Sequence, residues 1–445
     1  MMSDTTILQA AVVWAGPGRV YAPGMVVFSR RTGEILAVGS DDATGGPNAK
    51  GSAIRAAYPD AHTTHYEDCL LMPGLVNAHC HLELGYLRGR LPAGHFVDWV
   101  IQLLRQVTEA TRSGNFDALT QQAVNAGVAE SLAAGVTTIG DITRQSKISR
   151  PVLGQAPLRI VSFGEVTGLG LRREGFAERL AAAADTAGGG AGPRLQIGLS
   201  PHAPYTVEGS VLAQTVQHAL ATKMPLAMHL AELSEEAEFL AHLTGRLREA
   251  WDTSGRASEL LDDQIPLSPG GPIRWARQWG LLEATTSVPV VLAHVNYAND
   301  DEIEILAHSR ATVVVCPRTR AFFGHAQRHR YRDMLAAGVN VCLGTDSLAS
   351  NPDLVLLREA AEVRRTDPTL PAETLLEMVT GCGAKALGME SQIGTLDVGK
   401  QADFITLPLT AERVTDATAA LEYIVSQAPA PRCVWIAGKL VKTIE

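Results

Sequence analysis

The stretch PGLVNAHCHLELGYLRG, Pro73 to Gly89, decides how the rest of the chain is read. An apolar run ends in two histidines one residue apart, His79 and His81. Side chains alternate along a strand, so residues two apart face the same way and can meet a single ion. Cys80, between them, points to the opposite side and reads as a packed thiol. A lone histidine at a strand end is ordinarily a satisfied rim residue. The pair therefore gains meaning only if other strands end in the same way.

They do. Further apolar runs follow at GVTTIGD (to Asp141), RIVSFGE (to Glu165), LQIGLSPH (to His202), LAMHLAE (to Glu232), VPVVLAH (to His294), ATVVVCP (to Pro317) and VNVCLGTD (to Asp346). Helical stretches lie between most of them, such as FDALTQQAVNAGVAESLAAG and SVLAQTVQHALATK. Short buried runs alternating with helices indicate a parallel sheet. Counting the first run there are eight, which fits a (β/α)8 barrel of roughly 250 residues; we place it at residues 73–390. A doubly wound open sheet is the alternative. The two chain ends differ from this middle. AAVVWAG, GMVVFS and GEILAVG near the start, and GTLDVGKQADFITL and CVWIAGKLVKT near the end, are β-type runs broken by Gly and Pro. Residues 1–72 and 391–445 are expected to pair as one small β-sandwich, since termini often lie close together. The segment 244–274 is long for a connection and suggests a lid. AAAADTAGGGAGP reads as a surface turn.

Composition narrows the function. The 445 residues are 46% hydrophobic and 19% charged, the profile of a globular protein with a large core. The net charge of −9, without a basic stripe, argues against nucleic acid as a partner. No apolar run approaches the roughly 20 residues of a membrane span, and the N-terminus lacks a signal-peptide pattern. Six cysteines without a C-x-x-C pair read as free thiols, so a reducing cytoplasm is expected.

Barrel enzymes carry their chemistry at the C-terminal ends of the strands. Here those ends supply His79, His81, Asp141, Glu165, His202, His229, Glu232, His294 and Asp346, although Asp or Glu there can also be a helix N-cap. The other histidines sit in loops or helices, and His62, His65, His218, His242, His308, His325 and His329 are read as structural; His95 falls in the loop after the first run. His229 and Glu232 form H-x-x-E, so one can bind a metal while the other faces substrate. Three histidines and one aspartate suit Zn²⁺ or Fe²⁺ better than Mg²⁺ or Ca²⁺.

These residues carry a resemblance. The chain resembles the amidohydrolase superfamily, in its branch of metal-dependent deaminases and chlorohydrolases. The matching stretches are PGLVNAHCHLE…LRG, GVTTIGD, SPHAPYT, MHLAE, LAH, CPR and GTDSLASN, with GTLDVGKQADFITL and WIAGKLV near the end. The resemblance implies that His79, His81, His229 and Asp346 hold one divalent metal, zinc or iron. Glu232 would be the general acid/base, and His294 and Asp346 would assist the attacking water. His202 would contact the substrate ring. Binuclear members carry a lysine at the end of the fourth strand; that run ends here in GLSPHAP, which implies a single metal.

Within the resemblance, HLE…LRG, FVDWV and GTDSLASN look most like enzymes that deaminate 6-aminopurine nucleosides such as aminodeoxyfutalosine, S-adenosylhomocysteine or methylthioadenosine. A guanine deaminase, an s-triazine deaminase or chlorohydrolase, and a barrel that has lost its chemistry are the alternatives. Asp98, before Trp99, matches a position that binds ribose hydroxyls, or else is a first-turn helix carboxylate. Arg88 is either a contact for a substrate anion or a structural ion pair, and Arg318 and Arg320 are candidates for the same pocket. Phe322 and Phe323 either stack on a base or form a core pair. The expected partner is a small molecule, and the expected assembly is a homodimer.

Overall fold

The computed structural model describes residues 4–40, 50–187, 192, 194–410 and 416–443. Most of the Gly-rich half of the expected turn at AAAADTAGGGAGP lies outside them. Five strands come first: β1 (Thr5–Gly16), β2 (Arg19–Tyr21), β3 (Gly24–Ser29), β4 (Ile35–Ser40) and β5 (His62–Pro73). Eight follow: β6 (Leu75–Cys80), β7 (Val136–Thr143), β8 (Arg159–Val166), β9 (Leu195–Pro201), β10 (Leu226–Leu230), β11 (Val290–His294), β12 (Thr312–Val315) and β13 (Asn340–Leu343). The last three are β14 (Phe404–Pro408), β15 (Cys433–Ile436) and β16 (Lys439–Thr443).

β6 to β13 pair in sequence order, all parallel, as the eight runs predicted. The ring closes where Cys80 bridges Asp346. At that seam the Asn77 amide donates to Thr345 Oγ1 at 2.8 Å and its carbonyl accepts from the Thr345 amide at 3.1 Å. This is the geometry of a (β/α)8 barrel, not of an open sheet. Strand alternation divides the packing into two layers. Leu226, Met228 and Leu230 of β10, and Val290 and Leu292 of β11, pack outward against helices such as Gly209–Thr222 and Asp300–Ala307. Ala227, Val291 and Val314 fill the interior with Val76 and Ala78.

The ends of the chain form a second, mixed sheet of eight strands, ordered β16-β15-β14-β5-β1-β3-β4 with β2 beside β1. β14 lies antiparallel to β5, so the two termini share one module as expected. Its core holds Phe28, Phe404 and Trp435, with ring centroids 5.4 to 5.6 Å apart. One departure from the sequence reading is the helix Lys50–Ala57 between β4 and β5, where no helix was expected. No helix among the described residues is long and apolar enough to cross a membrane.

Candidate metal centre and active site

The two histidines of β6 face the site because the strand slips. Val76 and Ala78 point into the barrel, so strict alternation would send Cys80 inward as well. The pairing of β6 with β7 is irregular between Asn77 and Cys80, which reverses the phase. Cys80 joins the outer layer and lies 4.0 Å from Asp141, while His79 and His81 turn toward the mouth. β11 reaches the same result by backbone conformation. His294 would share the outer face with Leu292, but it adopts φ 73° and Val295 φ 47°. Ala231 and Asp346, at φ 50° and 56°, are likewise left-handed. Such conformations are costly for non-glycine residues and gather at functional sites.

His79, His81 and His229 each offer a ring nitrogen, all within 4.8 Å of one another. His81 Nε2 and His229 Nε2 are 3.1 Å apart. Asp346 Oδ1 stands 3.7 Å from His79 Nε2 and 3.6 Å from His81 Nε2. Both ring nitrogens of His79 are buried without a hydrogen-bond partner among the described residues, which is costly unless something else binds them. Burial pushes His81 down to about 4 and His229 well below its ordinary value, so their lone pairs are free at neutral pH. Burial alone would raise Asp346, but His79, His81 and His294 beside it hold it well below the usual carboxylate range. Three imidazoles and one carboxylate are the donor set of a divalent cation such as zinc. The residues fit the group.

Glu232 lies beside this set, 3% exposed, with Oε1 3.6 Å from His294 Nε2. Burial, with Asp346 and Glu236 nearby, raises its pKa well above the ordinary value. Burial also pushes His294 down to about 3. The pair is thus a neutral imidazole facing a carboxyl group that holds its proton readily. His202 Nδ1 is 2.6 Å from Thr206 Oγ1, which orients the ring and leaves Nε2 for the cavity. The cavity above these groups has a volume of about 410 Å³. One wall is the apolar side of helix Phe96–Arg112, including Val100, Leu103 and Val107; another is polar, with Glu83, Arg144 and Glu165. The expected lid, 244–274, contributes Leu247, Ala250, Trp251, Ser254 and Arg256 to the lining through helix Gly245–Thr253 and the turn after it.

Four expected substrate contacts lie elsewhere. Asp98 is absent from the cavity lining, to which the same helical turn contributes Phe96 and Trp99, and it pairs with Arg246 at 2.9 Å. Arg88 pairs with Glu130 at the rim. Arg318 is consumed by Glu359, Asp353 and Asn351, and so braces the loop after β13. Arg320 donates to the Gln327 carbonyl. None of the four lines the cavity. Phe323 does, packed edge-on against Phe96 and Trp99 at 5.2 and 5.1 Å, whereas Phe322 does not.

Several residues that support the site have no site role in the sequence reading, where His329 is structural and Glu83 has no assigned role. Glu236 accepts from the amides of Ala231, Glu232 and Leu233 at 2.9, 2.7 and 3.1 Å, fixing the segment that carries Glu232. Its position, four residues past Glu232 on a helix that turns back over the strand end, was the available signal. His329 Nε2 lies 2.9 Å from the carbonyl oxygen of the left-handed His294. Ser350 donates to Asp346 Oδ2 at 3.1 Å. Glu83 accepts from Thr143 Oγ1 and the amides of Arg144 and Gln145, so it ties the second strand end to the first.

The Amidohydrolase family signature matches residues 70–441. The chain is 31% identical over 399 residues to a 5-methylthioadenosine/S-adenosylhomocysteine deaminase of Desulfovibrio desulfuricans, covering 85% of this chain and 81% of that one. A protein of the same name from Halalkalibacterium halodurans is 30% identical over 351 residues, covering 76% and 72%. Among solved structures, the aminofutalosine deaminase of Helicobacter pylori superposes with a TM-score of 0.80 at 21% identity, over 98% of this chain and 100% of that one. The family match spans the barrel that holds the three histidines and the C-terminal strands of the β module: the chain belongs to the amidohydrolase family.

Proposed function

We propose that the protein is a metal-dependent deaminase that hydrolyses the amino group from a 6-aminopurine nucleoside. The observation that carries the reading is Glu232, a buried carboxyl group facing His294, set beside the three clustered histidines and Asp346 on the floor of one cavity. The names of the relatives supply the nucleoside. His79, His81, His229 and Asp346 would hold the ion, and we take zinc as its identity. An ion so held would supply Lewis acidity, making an attacking water ionisable near neutral pH.

The chain's own residues do the rest. Glu232 delivers its proton to the ring nitrogen next to the amino-bearing carbon and, as the carboxylate so formed, accepts one from the attacking water. That carbon becomes tetrahedral, a proton passes to the amino group, and ammonia leaves as the ring carbonyl forms. His294 Nε2, neutral and fixed by the His329 contact to its backbone, orients the water opposite Glu232. His202, oriented by Thr206, contacts the purine from the side. The apolar wall and Trp251 exclude bulk water. We further propose residence in the cytoplasm, which suits six free cysteines, and assembly as a homodimer.

The test is ammonia release from adenosine, methylthioadenosine, S-adenosylhomocysteine, aminodeoxyfutalosine, guanine and an aminotriazine. Glu232→Gln serves as the control and is expected to cost about 10²–10⁴-fold in kcat while the zinc stoichiometry stays at one. Ammonia only from guanine or the triazine would overturn the substrate class. A fully active Glu232→Gln would overturn the mechanism.

A further inference from the structure

Four carboxylates line the cavity: Glu83, Glu165, Glu232 and Asp346. Three are already committed. Asp346 belongs to the metal set, Glu232 faces His294, and both oxygens of Glu83 accept from Thr143, Arg144 and Gln145. Glu165, near the end of β8, is different. Its one ion pair among the described residues is with Arg144 Nε, at 4.0 Å, too far for a hydrogen bond. Its side chain is 10% exposed, and that exposure opens into the cavity next to His81 and His202. A nearly buried carboxylate left without a donor is costly, so the site is built to receive donors from a ligand.

The chemistry of that ligand group follows from the neighbours. Arg144, Arg172 and Arg256 line the same polar wall, and their positive charges disfavour an ammonium there. Guanidinium groups have no acceptor, so they cannot take a hydrogen bond from a hydroxyl. A carboxylate can, and its two oxygens match two adjacent hydroxyls. The residue expected to play this part, Asp98, does not line the cavity and is paired with Arg246. We propose that Glu165 is a specificity-determining residue which accepts hydrogen bonds from the vicinal sugar hydroxyls of the nucleoside. This rests on the deaminase reading above. It selects ribonucleosides over their deoxy analogues and over free bases.

The experiment compares kcat/KM for a ribonucleoside from the active panel with its 2′-deoxy and 3′-deoxy forms, in zinc-loaded wild type, Glu165→Gln and Glu165→Ala. The wild type is expected to favour the ribonucleoside by about ten- to hundredfold, the scale of a charge-assisted hydrogen bond. Glu165→Ala should bring the ratio close to one, mainly through loss on the ribonucleoside, and Glu165→Gln should retain part of it. Because the readout is a ratio within one variant, a partly misfolded preparation does not distort it. A ratio that survives in Glu165→Ala, or a wild type indifferent to the hydroxyls, overturns the assignment to Glu165 and leaves the deaminase reading intact. No ammonia from any nucleoside with zinc bound overturns both.

Discussion

Glu236→Ala tests whether the position of Glu232 is enforced by a single buried carboxylate. In the native protein this side chain, 1% exposed, takes the amides of Ala231, Glu232 and Leu233. Truncation strands three buried donors, each worth about 1–3 kcal/mol when left unmade. Water entering the vacated space would recover part of this, so a net loss of about 3 kcal/mol is expected. Scaled by an unfolding entropy of ~2.1 cal/mol/K per residue, that is a fall of about 3 °C in Tm for a chain this long. Burial raises the Glu236 pKa from 4.5 to about 7, against the pull of the three amides. The folded state therefore binds this proton more tightly than the unfolded state. The stabilisation it brings is complete below pH 4.5 and is lost as pH rises to 7. The variant lacks this slope, so the stability gap between wild type and variant should narrow from pH 4.5 to 7. Freed from its anchor, Ala231–Leu233 can relax from the left-handed turn, and a displacement of about 1 Å at Glu232 is enough for a 10²-fold loss in kcat. Calorimetry across pH and steady-state ammonia release read the two effects. A variant with wild-type kcat and a Tm within 1 °C would refute the reasoning.

Three further outcomes are expected. His79→Ala should lower bound zinc well below one equivalent by atomic absorption, and chelation of the wild type should abolish turnover reversibly. Arg318→Ala leaves Glu359, fully buried, without its guanidinium partner; a loss of about 3–5 kcal/mol is expected, seen in urea melts, with little change in KM, whereas a large rise in KM would return Arg318 to the pocket. Arg88→Ala breaks only a half-exposed pair with Glu130, so stability should change by less than about 1 kcal/mol and kcat/KM should hold, as measured by the same two assays.

Much of the barrel was legible because its signals are local. An apolar run ending in a polar residue needs no distant information to be recognised, and its eightfold recurrence between helices implies a parallel ring. The residue types at the strand ends, His79, His81, His229, Glu232, His294 and Asp346, were visible for the same reason. The helix Lys50–Ala57 was missed because KGSAIRAA, with a Gly and a Ser in its first turn, carries a weak helical signal.

By itself, then, the amino-acid sequence determined the order of strands and helices, the pairing of the two chain ends in one module, and the chemical character of the ligand set. Tertiary structure decided how those groups face one another and which charged residues reach the cavity. Simple alternation places His294 on the outer face; only a left-handed backbone, with His329 on its carbonyl, brings the ring inward. The slip in β6 does the same for His79 and His81. Asp98, Arg88, Arg318 and Arg320 have the charges of substrate contacts, yet each is claimed by a protein partner, often far away in sequence. Glu165 has only a long ion pair with Arg144, at 4.0 Å, and no hydrogen-bond donor among the described residues. The choice of partner for a long charged side chain is a competition among groups brought together by folding, and no local pattern encodes its result.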